Sequence, residues 1–463
     1  MNSSAILNTA VTSAVPLPNV TRMDFPSNFV WGCSTSSFQI EGAALTDGRV
    51  PSIWDTFCAK PGAIRDGSDG SVACDHYHRW PEDLDIAKQL GVNAYRFSIA
   101  WPRIITEPGG VPNQQGLDFY SRLVDGMLER GLQPWATLYH WDLPQYLQNL
   151  GGWENRSTID AYLSYVDVMT RHLGDRVKHW ITHNEPWCTA MHGNWDGMHA
   201  PGKKDFKVAL QVAHHVMVSH GLAAPIIRAN VTESSVGIAL SLHPLRAASK
   251  NEEDQEAMQR HDGLRNRWFL DPLFGLGYPL DIQAHCAEYL PEMLPGDMDA
   301  IAVPIDFLGV NYYFPETISA APQNPPLHTE LKLLADRERT GFGWEVAPDG
   351  MQELLCRIKQ DYPSIPIYLT ENGSSYDDHL DQDGQIQDTS RRNYFIRHLD
   401  ALKQARQSGV DVRGYFAWSL IDNFEWAEGY LRRFGMVYVD FATQVRTIKQ
   451  SGYWFRDFLQ LKK

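Results

Sequence analysis

Two short strings in this chain hold residue types that could do chemistry together: Asn184-Glu185-Pro186 and, much further along, Thr370-Glu371-Asn372-Gly373. Each follows a run rich in β-branched and aromatic residues, so each sets a glutamate at the end of a predicted strand. Two carboxyl groups on converging strand ends suit cleavage of a glycosidic bond, one donating a proton and one attacking. In that division Glu185 protonates the departing oxygen. It must rest neutral, its pKa raised by burial and by the second carboxylate. Glu371 stays ionised and needs a cationic or hydrogen-bonding neighbour. Arg96, at the end of another predicted strand, is the candidate; a structural ion pair inside the fold is the plainer role, and the two are compatible.

The elements that must carry these residues alternate along the chain. Strands are predicted at residues 29–34, 93–98, 134–139, 179–184, 236–241, 307–312, 367–371 and 414–418. Helical patterns fill residues 82–90, 117–130, 158–173, 206–229, 252–268, 350–360 and 391–408. The first of these follows Pro81 and stops before Gly91, the expected start and stop signals. Runs such as Ile367-Tyr368-Leu369-Thr370 are apolar without alternation, as strands covered on both faces should be. Eight β–α alternations imply an α/β fold with one closed parallel barrel, a single (β/α)8 TIM barrel with elaborated βα loops. The Pro-rich stretches 291–295 and 322–326 read as such loops. Residues 23–463 form the catalytic barrel in this reading, and residues 1–22 a loosely attached extension. Catalytic residues of such barrels sit on C-terminal strand ends, where Asn184, Glu185 and Glu371 fall.

Composition narrows the partners. A net charge of −15 over 463 residues disfavours nucleic acid and anionic membrane surfaces, and no apolar run is long enough to span a bilayer. Fifteen tryptophans, many beside predicted strand ends, suit a carbohydrate site, since indole faces stack on sugar C–H faces; about half are expected only to pack. Six cysteines without a C-x-x-C pair read as free thiols in a reducing compartment, although Cys58 and Cys74 could be bridged. The N-terminal stretch lacks a basic region before Arg22 and does not read as a signal peptide, which favours a bacterial-type cytoplasmic location. The sequon Asn372-Gly373-Ser374 abuts Glu371, an argument against a glycosylating route. His76, His78 and the His214-His215 pair lack further ligands at a supporting spacing, so no metal site is expected.

These motifs resemble glycoside hydrolase family 1, the β-glucosidase family, over residues 24–460. The resemblance rests on Phe38-Gln39-Ile40-Glu41-Gly42, Tyr95-Arg96-Phe97-Ser98, His140-Trp141-Asp142-Leu143-Pro144, Thr182-His183-Asn184-Glu185-Pro186, Asn311-Tyr312-Tyr313, Leu369-Thr370-Glu371-Asn372-Gly373, and Trp418-Ser419 through Asn423-Phe424-Glu425-Trp426. It implies a retaining mechanism without metal or organic cofactor, Glu185 as acid/base, Glu371 as nucleophile, and Arg96 and Tyr313 against the nucleophile. By the same resemblance Gln39, His140, Asn184, Glu425 and Trp426 bind the hydroxyls of the nonreducing sugar, and Trp418 is its floor. Trp141, Asn311 and Phe434 join the substrate-binding set, and Trp344 stacks on the leaving group. Implied substrates are small β-glucosides and cello-oligosaccharides with glucose as product, with galactosides and fucosides as side substrates. Oligomeric state is left open.

Glu425 would face the 4- and 6-hydroxyls. Relatives acting on 6-phosphosugars carry a serine and a nearby lysine in this region, which are absent here, so neutral sugars are expected. A thioglucosidase would carry glutamine at position 185, and a non-catalytic carbohydrate-binding relative would lack one carboxylate; both glutamates are present. His183 departs from the usual hydrophobic residue and should face away from Asn184 and Glu185. Cys188 is expected at the cleft entrance or as an inert buried thiol, and His261 at the cleft rim. Nothing marks Glu107 or Asp142 as a second dyad.

Overall fold

The computed structural model describes residues 16–460. All eight predicted strands form, with ends shifted by a residue or two: β1 (Val30–Ser34), β2 (Ala94–Ser98), β3 (Gln133–Tyr139), β4 (His179–Asn184), β5 (Ser235–Ser241), β6 (Phe307–Asn311), β7 (Ile367–Asn372) and β8 (Val412–Trp418). Each pairs in parallel with its neighbours in chain order, and β1 closes onto β8 from Val30 opposite Gly414 to Ser34 opposite Trp418. β2 and β6 are buried at every residue, as parallel strands with helices on one face and a filled barrel on the other must be. Ala94, Trp135, Ile181, Ala239, Phe307 and Phe416 fill the lower barrel interior. That plug leaves only the C-terminal strand ends open for a site.

The principal helices between the strands are α1 (His76–Gln89), α2 (Gln114–Glu129), α3 (Ser157–Leu173), α4 (Phe206–Asn230), α5 (Glu252–Asp262), α6 (Pro348–Asp361) and α7 (Thr389–Gln407). A further helix, α8 (Gln450–Gln460), follows β8 and had no counterpart in the sequence reading. Two expectations need correction. Helix α1 starts at His76 rather than after Pro81, because Asp75 at its N-terminus engages His78 and Arg79 and launches the turn earlier. The helix expected over residues 252–268 ends at Asp262 and continues as a π-type turn, Gly263–Arg267, which turns Arg265 and Asn266 onto Ser241 and His243.

The loops after β5 and β6 build a small sheet from Leu245–Ala247, Glu316–Ala320 and Thr329–Leu331, with Pro322–Pro326 in its hairpin. Of the expected N-terminal extension, residues 1–15 lie outside the described residues. From Val20 the chain is packed: Val20 is buried, and the Arg22 guanidinium lies 5.7 Å from the Trp31 ring centroid. Among the described residues no helix is long and apolar enough to cross a membrane.

Candidate active site

Two bulges aim the polar residues at the barrel mouth. Along β4, Ile181 faces inward, while Thr182 bonds His220 at 2.7 Å and His183 bonds Ser219 at 2.9 Å, both on α4. Two successive outward residues break strand alternation. The cause is register: Ile181 pairs with Gly237 but Asn184 with Ala239, three residues against two. The extra residue returns Asn184 to the inward face. On β7, Leu369 pairs with Val310 and Glu371 with Asn311, two residues against one, so Thr370 and Glu371 both turn inward. Three residues at the mouth, Trp141, Glu185 and Trp426, hold left-handed backbone at φ of 78°, 49° and 48°. Such angles are costly for bulky residues and gather at functional sites.

The two glutamates end on one hydrogen-bonded chain. Arg96, fully buried, donates from Nη1 to Glu371 Oε1 and from Nη2 to Asn184 Oδ1, both at 2.6 Å. The Tyr313 hydroxyl donates to Glu371 Oε2 at 2.6 Å. Asn311 Nδ2 donates to Asn184 Oδ1 at 3.0 Å and to Glu185 Oε1 at 2.8 Å. Because Arg96 only donates, Asn184 must accept through Oδ1, and its Nδ2 is left to donate to His140 Nε2 at 3.1 Å. Cys188 Sγ donates to Glu185 Oε2 at 3.0 Å.

Burial is the largest influence on Glu371 and pushes its carboxyl up, to about 7; Arg96 pulls it down, Glu185 pushes it up again, and Tyr313 lowers it. A guanidinium favours the ionised form of Glu371, whereas Glu185 is held by an amide and a thiol. Burial followed by the charge of Arg96 holds His140 well below the ordinary histidine range, so it meets a ligand as a neutral imidazole. Burial, with Glu371, Glu185 and Glu428 adding, raises Glu425 to about 8. The protonated form that this favours can donate to a sugar hydroxyl as well as accept from one.

The remaining predicted residues gather on the loops around this chain. Gln39 Nε2 donates to Asn423 Oδ1 and Phe424 O, each at 3.0 Å, and reaches Glu425 Oε2 at 3.4 Å. The His140 ring stacks between Trp418 and Trp426, 6.1 and 5.8 Å between centroids. Trp141 packs 4.5 Å from Trp426 and donates through Nε1 to the Asn184 carbonyl at 2.8 Å. Partly exposed Trp344 lies 5.2 Å from Tyr313, and buried Phe434 lies behind both.

Three residues sit differently from their sequence reading. Asn311 is buried with its amide on Asn184, Glu185 and Thr370, so it braces the acid/base carboxyl. Cys188 takes the buried one of its two expected positions, but it contacts Glu185 directly, which an inert thiol would not. His261 bonds Thr329 and Glu316, within the small sheet, and touches none of the residues around the glutamates. The sequence reading missed Arg265, which covers the Trp187 ring at 4.0 Å; it hid inside a predicted helix without a spacing signal. The four histidines weighed as metal ligands have protein partners: His76 with Asp83, His78 with Asp75, His214 with Tyr278 and Asp297, and His215 with the Trp153 carbonyl. The sequon is unusable, because Asn372 Nδ2 is buried on the Tyr312 carbonyl and the Tyr394 hydroxyl.

A closed parallel barrel with two hydrogen-bonded glutamates at its C-terminal mouth, ringed by tryptophans, defines a barrel glycosidase. The family model for glycosyl hydrolase family 1 matches residues 21–463. The chain belongs to that family. It is 44% identical to beta-glucosidase A of Thermotoga maritima over 437 residues, 94% of this chain and 98% of that one. It is 43% identical to the bifunctional beta-D-glucosidase/beta-D-fucosidase of Bifidobacterium breve over 460 residues, 94% of this chain and 98% of that one. The solved Thermotoga maritima beta-glucosidase in complex with deoxynojirimycin superposes with a TM-score of 0.92 at 44% identity, covering 94% of this chain and 98% of that one.

Proposed function

We propose that this protein is a retaining β-glucosidase releasing terminal β-D-glucosyl units from cello-oligosaccharides and from aryl and alkyl β-glucosides. The chain of hydrogen bonds Glu371–Arg96–Asn184–Asn311–Glu185 carries the reading, because it holds two carboxyls together while giving them unlike partners. Glu371 attacks the anomeric carbon as Glu185 passes its proton to the departing oxygen. A covalent glycosyl-enzyme results. Water then attacks the same carbon, its proton passing to Glu185 and the bond to Glu371 breaking. Asn184 grips the 2-hydroxyl, where hydrogen bonds strengthen in the transition state. Gln39, His140, Glu425 and Trp426 take the remaining hydroxyls over Trp418.

Galactosides and fucosides, and transfer to alcohols, are expected side reactions; the bifunctional Bifidobacterium relative supports the first. Six free thiols favour a reducing cytoplasm as the working compartment. The test is incubation with an activated 2-deoxy-2-fluoro-β-D-glucoside, followed by intact mass and peptide mapping. The fluorine slows both steps, while the good leaving group lets the first proceed, so the intermediate accumulates. One adduct per chain, on Glu371, is the expected result. An adduct elsewhere overturns the assignment, and no adduct with no release from the parent aryl β-glucoside overturns the activity.

A further inference from the structure

The family resemblance makes Trp344 the stacking surface for the leaving group, yet both faces of its indole are already taken. Trp344 closes a tight turn in which the Thr340 amide donates to its carbonyl at 2.9 Å. At the tip of that turn the Phe342 ring stacks on the indole, 4.3 Å between centroids and 20° from parallel. Phe314, from the loop after β6, stacks on it at 4.9 Å and 27°. Two rings so close and so nearly parallel to one indole would touch each other if they shared a face. Among the described residues Phe314 and Phe342 make no ring contact with each other, so they lie on opposite faces.

The row has a neighbour at each end. His243 meets Phe314 nearly at right angles, 4.5 Å between centroids. The Arg432 guanidinium lies 5.3 Å from the Phe342 centroid, held by its bonds to the Gly341 carbonyl and Glu428. Tyr313 and Phe434 pack against the same indole, tilted at 56° and 47°. The part of Trp344 left to solvent is its rim. Tyr313 bonds the nucleophile, and His243 is near enough to Glu185 to feel its charge. The row therefore walls the space into which Glu185 releases the leaving group. An aromatic face is electron-rich and takes a second ring or sugar C–H groups; an edge carries the opposite sign and offers no platform.

We propose that Phe314 determines leaving-group specificity through Trp344: by filling one indole face it denies flat leaving groups a platform and removes the preference for rings over chains that an open indole would give. The proposal rests on the β-glucosidase reading above and deepens its leaving-group side. Phe342 is tied to Trp344 by their shared turn, whereas Phe314 comes from a separate loop and is only partly buried. Phe314 is thus the cover that a single substitution can lift.

The test compares kcat/KM on naphthyl β-D-glucoside, which has a flat leaving group, and octyl β-D-glucoside, which has a chain. β-D-Glucosyl fluoride, whose leaving atom is too small to reach the row, reports the glucose side alone. In Phe314→Ser the naphthyl-to-octyl ratio should rise about three- to tenfold, chiefly through a lower KM for the naphthyl substrate. Phe314→Tyr keeps a ring on that face and should hold the ratio within about twofold of the parent. Trp344→Leu should return the raised ratio of Phe314→Ser to the parental value, yet leave the ratio within about twofold when made in the parent. A ratio unmoved by Phe314→Ser overturns the proposal. So does an equal fall on all three substrates, which a merely structural role would give, or a ratio that Trp344→Leu lowers in the parent. A crystal structure of the unsubstituted protein tests the row without reference to turnover: Phe314 and Phe342 on the two faces of Trp344 support it, and a bare face overturns it. A parent that cleaves none of the three glucosides sinks the β-glucosidase reading and the leaving-group role with it, an outcome seen before any variant is made.

Discussion

Glu371 is pulled in two directions, and the balance is testable at one atom. Burial raises its carboxyl, Arg96 and the Tyr313 hydroxyl act the other way, and the balance stands at about 7. An attacking carboxylate must be ionised, so the acid side of the pH–rate profile follows this group. Tyr313→Phe removes a 2.6 Å donor to the charged form, which moves the titration of Glu371 upward. The acid limb of kcat/KM on an aryl β-glucoside should then shift to higher pH, and the plateau should fall on the order of 10–100-fold. An unmoved acid limb would mean that Tyr313 does not tune Glu371. The residues of this core were legible in the sequence, because Arg96, Asn184, Glu185, Tyr313 and Glu371 stand at strand ends inside distinctive strings. The Cys188 contact with Glu185 was not legible. It depends on the π-type turn Cys188–His192, for which no residue pattern gives warning.

Strand positions were legible for a physical reason. Parallel strands covered on both faces must be short, apolar and regularly interrupted by helices, and that pattern survives in one sequence. The bulges in β4 and β7 left no such trace, because they change which face a residue takes without changing residue type. They decide the site nonetheless, turning Asn184, Thr370 and Glu371 inward. A glycine next to the second bulge shows how tightly the elements are locked. A Cβ on Gly373 would lie 1.7 Å from the Trp418 carbonyl oxygen and 2.8 Å from its carbon, backbone atoms that cannot swing aside. Gly373→Ala should therefore push β7 from β8, costing about 2–4 kcal/mol in denaturant unfolding. It should also lower kcat/KM, since Glu371 and Trp418 lie on the two displaced ends. Parent-like stability and kinetics would show that the junction yields more readily than its packing implies.

Across the whole molecule, charge buried between elements ties the loops to the barrel. Lys449, fully buried just before α8, bonds Asp378 and Asp422 at 2.6 Å each, and Asp422 in turn holds the Gly435 amide. The loop carrying Asn423, Glu425 and Trp426 is thereby anchored to a C-terminal helix that the sequence reading did not foresee. Net charge gave no hint of this, since a sum of −15 over the chain carries no positions. Asp142 is the opposite case, a buried carboxyl without a cation in contact. Ser37 donates to its Oδ2 at 2.8 Å, and its Oδ1 has no partner among the described residues. Burial pushes it up to about 7, with Ser37 lowering, Glu41 raising and Arg49 lowering in turn. The unfolded chain releases this proton near 4, so between about pH 4 and 7 the folded state binds more protons than the unfolded one. Stability from this group is then greatest in acid and declines as pH rises through that window. Asparagine at the same position cannot ionise and escapes the decline. Relative to the parent, Asp142→Asn should gain melting temperature on going from pH 4.5 to pH 8. If the difference between the two proteins is the same at both pH values, Asp142 is ionised in the folded protein throughout, and the buried-acid account of this site fails.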